Sequence, residues 1–95
     1  MPSFTTRVEL HDATWQDYEN LHSQMQAQGF ARTIGSDDGV VYHLPWAEYD
    51  LVGQLTCEQV RDRAVAAAAA AAPSRGRAIL VSQALRRCWI GLTTA

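Results

Sequence analysis

The fold is decided by FTTRVELHDATWQDYENLHSQM, residues 4–25, because the hydrophobic period changes within this stretch, near residue 11. Before that point apolar and polar residues alternate, which is typical of a half-buried strand. After it, apolar residues recur at steps of three and four, which is typical of a helix with one buried stripe. The strand's inner face is predicted to be Phe4, Thr6, Val8 and Leu10, and its outer face Thr5, Arg7, Glu9 and His11.

The first helix is predicted to begin at Trp15. Thr14 and Asp17 have the spacing of a reciprocal N-terminal cap, and Gly29 fits a helix end because glycine accepts a positive φ. The predicted buried stripe consists of Trp15, Tyr18, Leu21, His22 and Met25. We therefore expect His22 to be a structural residue.

The rest of the chain predicts one more helix and several strands. The pair Asp38-Gly39 is a strong hairpin signal, and Pro45 should end the strand that follows it. A run of alanines favours the second helix, because alanine has the highest helix propensity. The predicted elements are strands at 30–34, 40–44, 77–82 and 88–92, an irregular segment at 45–55, and a helix from Thr56, capped with Gln59, to the alanine run before Pro73.

This β-α-β-β-α-β order predicts an α+β fold: a single ferredoxin-like sandwich over residues 1–95, with an extra short strand at the C-terminus. Two helices would cover one face of an antiparallel sheet and leave the other face open. The last strands are more continuously apolar than a one-sided sheet needs, and exposed apolar patches mark interfaces. We therefore expect a homodimer that uses the open face, the last strand, or both.

Composition narrows the class of protein. The net charge of −2 argues against nonspecific coating of nucleic acid, although all eight basic residues are arginine, which suits phosphate contacts. No apolar run approaches the length of a membrane span, and the N-terminal residues show no secretory signal. Cys57 and Cys88 have no metal or redox spacing, which favours reduced thiols and a cytoplasmic protein.

The segments RVELHDATWQDYENLHSQMQAQGF, SDDGVVYHLP and RCWIGL, together with the element order, resemble the GhoS antitoxins of type V toxin–antitoxin systems. The resemblance spans nearly the whole chain but contains no diagnostic catalytic motif. It implies an endoribonuclease that cleaves the single-stranded messenger RNA of a toxin. It also implies similarity to the small ferredoxin-like nucleases associated with CRISPR loci.

In those CRISPR-associated nucleases an aspartate ends the first strand, and a dimer gathers two of them around a divalent metal ion. Asp12 occupies the matching position here, so the resemblance implies a Mg²⁺ ligand. Asp12 also directly precedes the first helix, where aspartate caps free N–H groups. Asp12 is therefore predicted to be a metal ligand, a helix cap, or both.

A second mechanism needs no metal ion. The predicted topology places His11 and His43 on adjacent central strands, where both imidazoles can face the open side and act as general base and general acid on RNA. Arg7 or Arg32 would then stabilise the charge on the phosphate. The alternative is that the two histidines only form hydrogen bonds across the strands.

The candidate RNA-binding residues complete the prediction. Trp46 and Trp89 are the aromatic residues least expected in the core, and either could stack on a splayed base. The predicted RNA-binding set is Arg7, Arg32, Trp46, Arg86 and Arg87, and the predicted catalytic set is His11, Asp12 and His43. The competing hypothesis is a non-catalytic interaction module of the same fold, such as a phage-type inhibitor or a regulatory dimer.

Overall fold

A computed structural model describes all residues, 1–95, as an α+β protein with antiparallel sheets. A three-stranded sheet has the order β4-β1-β5, and β2 and β3 form a hairpin of their own. The elements are β1 (Ser3–Leu10), α1 (Trp15–Ala27), β2 (Thr33–Gly35), β3 (Val41–His43), β4 (Glu48–Val52), α2 (Cys57–Ala71) and β5 (Arg77–Ala84). Neither helix has the length and apolarity that a bilayer-spanning helix requires.

Both helices begin with the reciprocal caps that the sequence predicts. Thr14 accepts a hydrogen bond from the Asp17 backbone N–H, and the Asp17 carboxylate accepts one from Thr14 N. Thr56 and Gln59 do the same for α2. The Thr14 backbone N–H and, after it, Arg75 hold the pKa of Asp17 below its usual value.

The core lies between β1, β4 and the two helices. The predicted inner face of β1 is confirmed, since Phe4, Thr6, Val8 and Leu10 are all buried. The helix α2 contributes mainly alanines to the core: Ala64, Ala67, Ala68 and Ala71. Because these alanines are buried, a larger side chain at any of these positions would have to displace its neighbours.

Replacing the buried Ala68 by leucine is expected to destabilise the protein by about 1–3 kcal/mol, because overpacking forces neighbouring side chains and backbone to move. The matched control is Ala69→Leu, one residue along the same helix and exposed, which should change the free energy of unfolding by less than about 0.5 kcal/mol. Denaturant titration measures both. Equal effects would contradict close packing at Ala68.

The main error of the sequence prediction concerns residues 45–55, which were expected to be irregular. Residues 48–52 form β4, which pairs with β1 over its whole length, with Arg7 opposite Glu48 and Phe4 opposite Leu51. Its alternation is visible in the burial of Tyr49 and Leu51. The strand after the hairpin, β3, is therefore not the neighbour of β1.

The C-terminal segment also departs from the prediction. Residues 88–92 form no strand. Instead Thr94 bridges to Tyr42, and His43 N donates to Thr93 O at 2.8 Å, so the final residues pair with β3. On the way, Arg87 donates to Asp50 Oδ1 at 2.7 Å and to Thr5 Oγ1 at 3.1 Å. The chain's own tail thus covers part of the sheet face that was predicted to be open.

Candidate functional site

Two tryptophans stack on the protein surface beside the C-terminal end of β1. The rings of Trp15 and Trp46 are 4.9 Å apart between centroids and within 19° of parallel. The guanidinium carbon of Arg32 lies 5.4 Å from the Trp46 ring centroid, within the range of a cation–π contact. We call Trp15, Trp46, Arg32, Tyr18 and His22 the tryptophan cluster.

Each member is positioned by a different part of the chain. Trp15 is the first residue of α1, and Trp46 lies in the kink between β3 and β4, where Ala47 has a φ of 66°. Tyr18 connects the cluster to the end of β1, because its hydroxyl accepts a hydrogen bond from Leu10 N at 3.0 Å. Arg32 is held by its backbone carbonyl, which accepts from Leu44 N.

One side of the cluster is exposed to solvent, and the other side is buried. Trp15 is 70% exposed and Trp46 is 43% exposed, which is high for the largest apolar side chains. Below them His22 is buried and meets Trp46 edge-on, with ring centroids 4.7 Å apart. An adjoining cleft of about 500 Å³ is lined by residues that include Glu19, Gln26 and Arg32. The exposed side therefore offers indole surface and one cation to a ligand.

The buried side of the cluster contains a hydrogen-bonded pair of polar side chains. His22 Nδ1 lies 2.6 Å from the Tyr49 hydroxyl, and the two share a hydrogen bond. Burial, assisted by the charge of Arg32, lowers the pKa of His22, and burial also raises the pKa of Tyr49 well above its usual range. Both side chains are consequently neutral at pH 7, and His22 is buried, as the predicted helix stripe requires.

The lowered pKa of His22 predicts a loss of stability in mild acid. Below the usual value of 6.5 the unfolded chain takes up a proton that the folded chain resists, so the free energy of unfolding falls as the pH falls. The slope for a single proton is at most about 1.4 kcal/mol per pH unit. Denaturant titrations between pH 7 and 5 should show this slope in the wild type and His43→Gln, but not in His22→Gln. A slope that survives in His22→Gln would contradict the assignment.

The predicted catalytic residues do not form one site. His11 follows β1 directly and is exposed, with its imidazole Nε2 3.7 Å from a Glu9 carboxylate oxygen. His43 ends β3, which is paired with β2 and not with β1. The prediction that His11 and His43 lie on adjacent central strands is therefore wrong, and it failed because β4 takes the place beside β1.

Asp12 is not the cap of α1, because Thr14 holds that position. Asp12 is exposed, adopts a left-handed backbone with a φ of 54°, and makes no side-chain hydrogen bond or ion pair. No group of three or more His, Cys, Asp or Glu side chains is arranged to hold a metal ion. Asp12 alone supplies one of the oxygen ligands that Mg²⁺ takes, so the remaining ligands would have to come from water, an RNA phosphate or a second chain.

The predicted RNA-binding residues do not all lie on one surface. Arg32 and Trp46 are in contact within the tryptophan cluster, whereas Arg7 lies on the open sheet face between Glu48 and Leu80. Arg86 lines a cleft of about 610 Å³ at the far end of the sheet. The charge of Arg87 is matched by Asp50, as described above.

The surroundings of two tryptophans differ from those that the sequence predicts. Trp89 packs against Tyr42 at 5.6 Å between centroids, so its ring contacts its own chain. Trp15 was placed in the buried stripe but is exposed, because it precedes the first buried turn of α1. Its position directly after the cap residue was the signal that could have revealed this.

The chain matches no protein-family model, and no curated protein matches it in sequence. The resemblance to GhoS antitoxins therefore stays a prediction.

Proposed function

We propose that this protein binds single-stranded RNA on its tryptophan cluster. The observation that supports this is the exposed stack of Trp15 and Trp46 with Arg32 against it. Aromatic rings stack on unpaired bases of any sequence, and an arginine beside them adds a phosphate or cation–π contact. A duplex presents no free base faces, so the cluster favours single strands.

The proposal includes the finer assignments that the resemblance implies. We propose a ferredoxin-like sandwich, since the bridge between Ala31 and Asp50 brings the chain before β2 alongside β4 and extends the sheet to β5-β1-β4-β2. We also propose that the protein is a GhoS-like, RNA-cleaving antitoxin of the cytoplasm. Cleavage is assigned to His11 and Asp12, which follow β1 directly and precede Trp15 by four and three residues, with the exposed His11 imidazole as general base on the 2′-hydroxyl.

The test is a titration of a short labelled single-stranded RNA, followed by fluorescence anisotropy, with the matching duplex as control. We expect binding of the single strand that persists in EDTA, with a shallow salt dependence. Because Arg32 is the only cation in the cluster, the logarithmic slope against salt should be near −0.7, that of one phosphate contact. Failure to bind, or a steep slope with equal binding of duplex, would contradict the proposal.

Cleavage is tested separately with the same RNA in Mg²⁺, Mn²⁺ and EDTA. Loss of cleavage in His11→Ala, with binding retained, is the expected result. Cleavage that depends on the metal ion and is abolished by Asp12→Asn would instead support a metal site completed by a second chain. Intact RNA under all conditions, despite binding, would exclude the nuclease and leave an RNA-binding protein.

A protein-binding module is the second candidate function. It is favoured by the exposed apolar side chains of the tail, Leu85 and Ile90, which contact no core residue and are essentially as exposed as in an unfolded chain. If the anisotropy titration shows no RNA binding, this function becomes the better supported of the two.

A further inference from the structure

The strand β5 is a long edge of the sheet, and no strand pairs with its outer side. It forms one edge of the sheet, paired on its other side with β1, and the tail leaves it toward β2 and β3. Natural proteins protect such edges with lysine, proline, a bulge or short length. This strand has eight residues, and from Ala78 to Ala84 it carries no charge and no proline. The usual protection against edge-to-edge pairing is therefore missing.

The direction of the backbone groups on β5 follows from its pairing with β1. His11 N donates to Gly76 O at 2.8 Å, so the even-numbered residues of β5 turn their backbone groups toward β1. The odd-numbered residues Arg77, Ile79, Val81 and Gln83 then turn theirs to the free edge. A weak contact of 3.6 Å from the Cys57 thiol to Val81 O agrees with this direction.

We propose that β5 pairs with β5 of a second copy, antiparallel, around a two-fold axis at Leu80. An antiparallel two-fold pair keeps the helices of both copies on one side of a continuous sheet, and therefore pairs residues of the same face. In this register Leu80 meets Leu80 on the open face, and Ile79 meets Val81 on the helix face. Arg77 meets Gln83, so no like charges oppose each other.

The chemistry of β5 argues for a second copy over a different protein. The edge supplies donors and acceptors in the pattern that it itself requires, and Leu80 is 65% exposed although it is apolar. Pairing covers Leu80 and extends the partly buried Ile79 and Val81 into a shared core. This inference does not depend on RNA binding.

The pairing has a consequence for the proposed metal site. Arg7 lies opposite Leu80, so Asp12 lies five residues from the two-fold axis, measured along the direction of β1. The Asp12 of the second copy lies equally far from the axis in the opposite direction. At the usual rise per residue the two carboxylates are more than about 30 Å apart. A β5 pair and a metal ion shared by two Asp12 residues are mutually exclusive.

The first test is the solution mass of the full chain by light scattering, for which we expect twice 10.5 kDa. Leu80→Lys places two like charges at the axis and should halve the mass, whereas Leu85→Lys, the same substitution at another exposed leucine, should leave the dimer intact. A monomeric wild type, or a dimer that survives Leu80→Lys, would overturn the proposal.

The second test fixes the register by disulfide trapping in a chain whose Cys57 and Cys88 are replaced by alanine. Residues facing each other across a non-hydrogen-bonded pair have Cα atoms about 4.5 Å apart, which is close enough for a disulfide. Leu80→Cys should therefore form a cross-linked dimer on mild oxidation, and Ser82→Cys should not. A cross-link through Ser82→Cys alone would overturn the axis at Leu80.

Discussion

Replacing Phe4 by alanine is expected to lower the free energy of unfolding by about 3–5 kcal/mol. Phe4 is fully buried on the central strand β1, opposite Leu51 of β4 and Gln83 of β5. The same core cluster contains the alanines of α2, whose side chains are too short to move into the void. The total free energy of unfolding of a small domain is only about 5–15 kcal/mol, so the expected loss is a large fraction of it.

Chemical denaturation followed by circular dichroism measures the effect. Leu85→Ala shortens an apolar side chain at a fully exposed position and should change the stability by less than about 0.5 kcal/mol. An average point mutation already destabilises a protein by about 1 kcal/mol. If Phe4→Ala lowered the free energy of unfolding by less than this, β1 would not be the centre of the core.

Replacing Trp46 by alanine is expected to weaken the binding of single-stranded RNA by about tenfold or more. Loss of one stacked base costs about 1–3 kcal/mol, and 1.4 kcal/mol corresponds to tenfold in affinity. Trp46 contacts both Trp15 and Arg32, so its removal also separates the two remaining ligand-facing members of the cluster.

The matched control is Trp89→Ala, because Trp89 packs against Tyr42 away from the cluster. Its affinity for RNA should equal that of the wild type. Trp15→Ala should weaken binding without loss of stability, since Trp15 is mostly exposed. Equal losses of affinity in Trp46→Ala and Trp89→Ala would point to a general effect on folding and contradict a specific stacking surface.

Local patterns predicted the elements that periodicity and caps can define. The structure contains both capped helices, the hairpin at Asp38-Gly39 and the strand that begins at Arg77. The first strand, predicted at residues 4–11, is present at Ser3–Leu10. Each is encoded within a short stretch, by alternation, by a helical stripe or by turn chemistry.

The misplaced features depend on contacts that sequence spacing does not encode. Pro45 ends β3 as expected, but the kink at Ala47 lets the chain resume as β4 within a few residues, which displaced His43 from the centre of the sheet. Arg87 reaches Thr5 across 82 positions of sequence, so periodicity could not foresee that the tail covers part of the open face. The stack of Trp15 on Trp46 likewise joins two distant segments.

Photo-cross-linking to a short single-stranded RNA tests most directly whether RNA contacts the tryptophan cluster. Mass spectrometry of the irradiated complex should locate the adducts on peptides that contain Trp15 or Trp46. Adducts confined to the tail, residues 85–95, or to the open sheet face around Arg7 would contradict the claim.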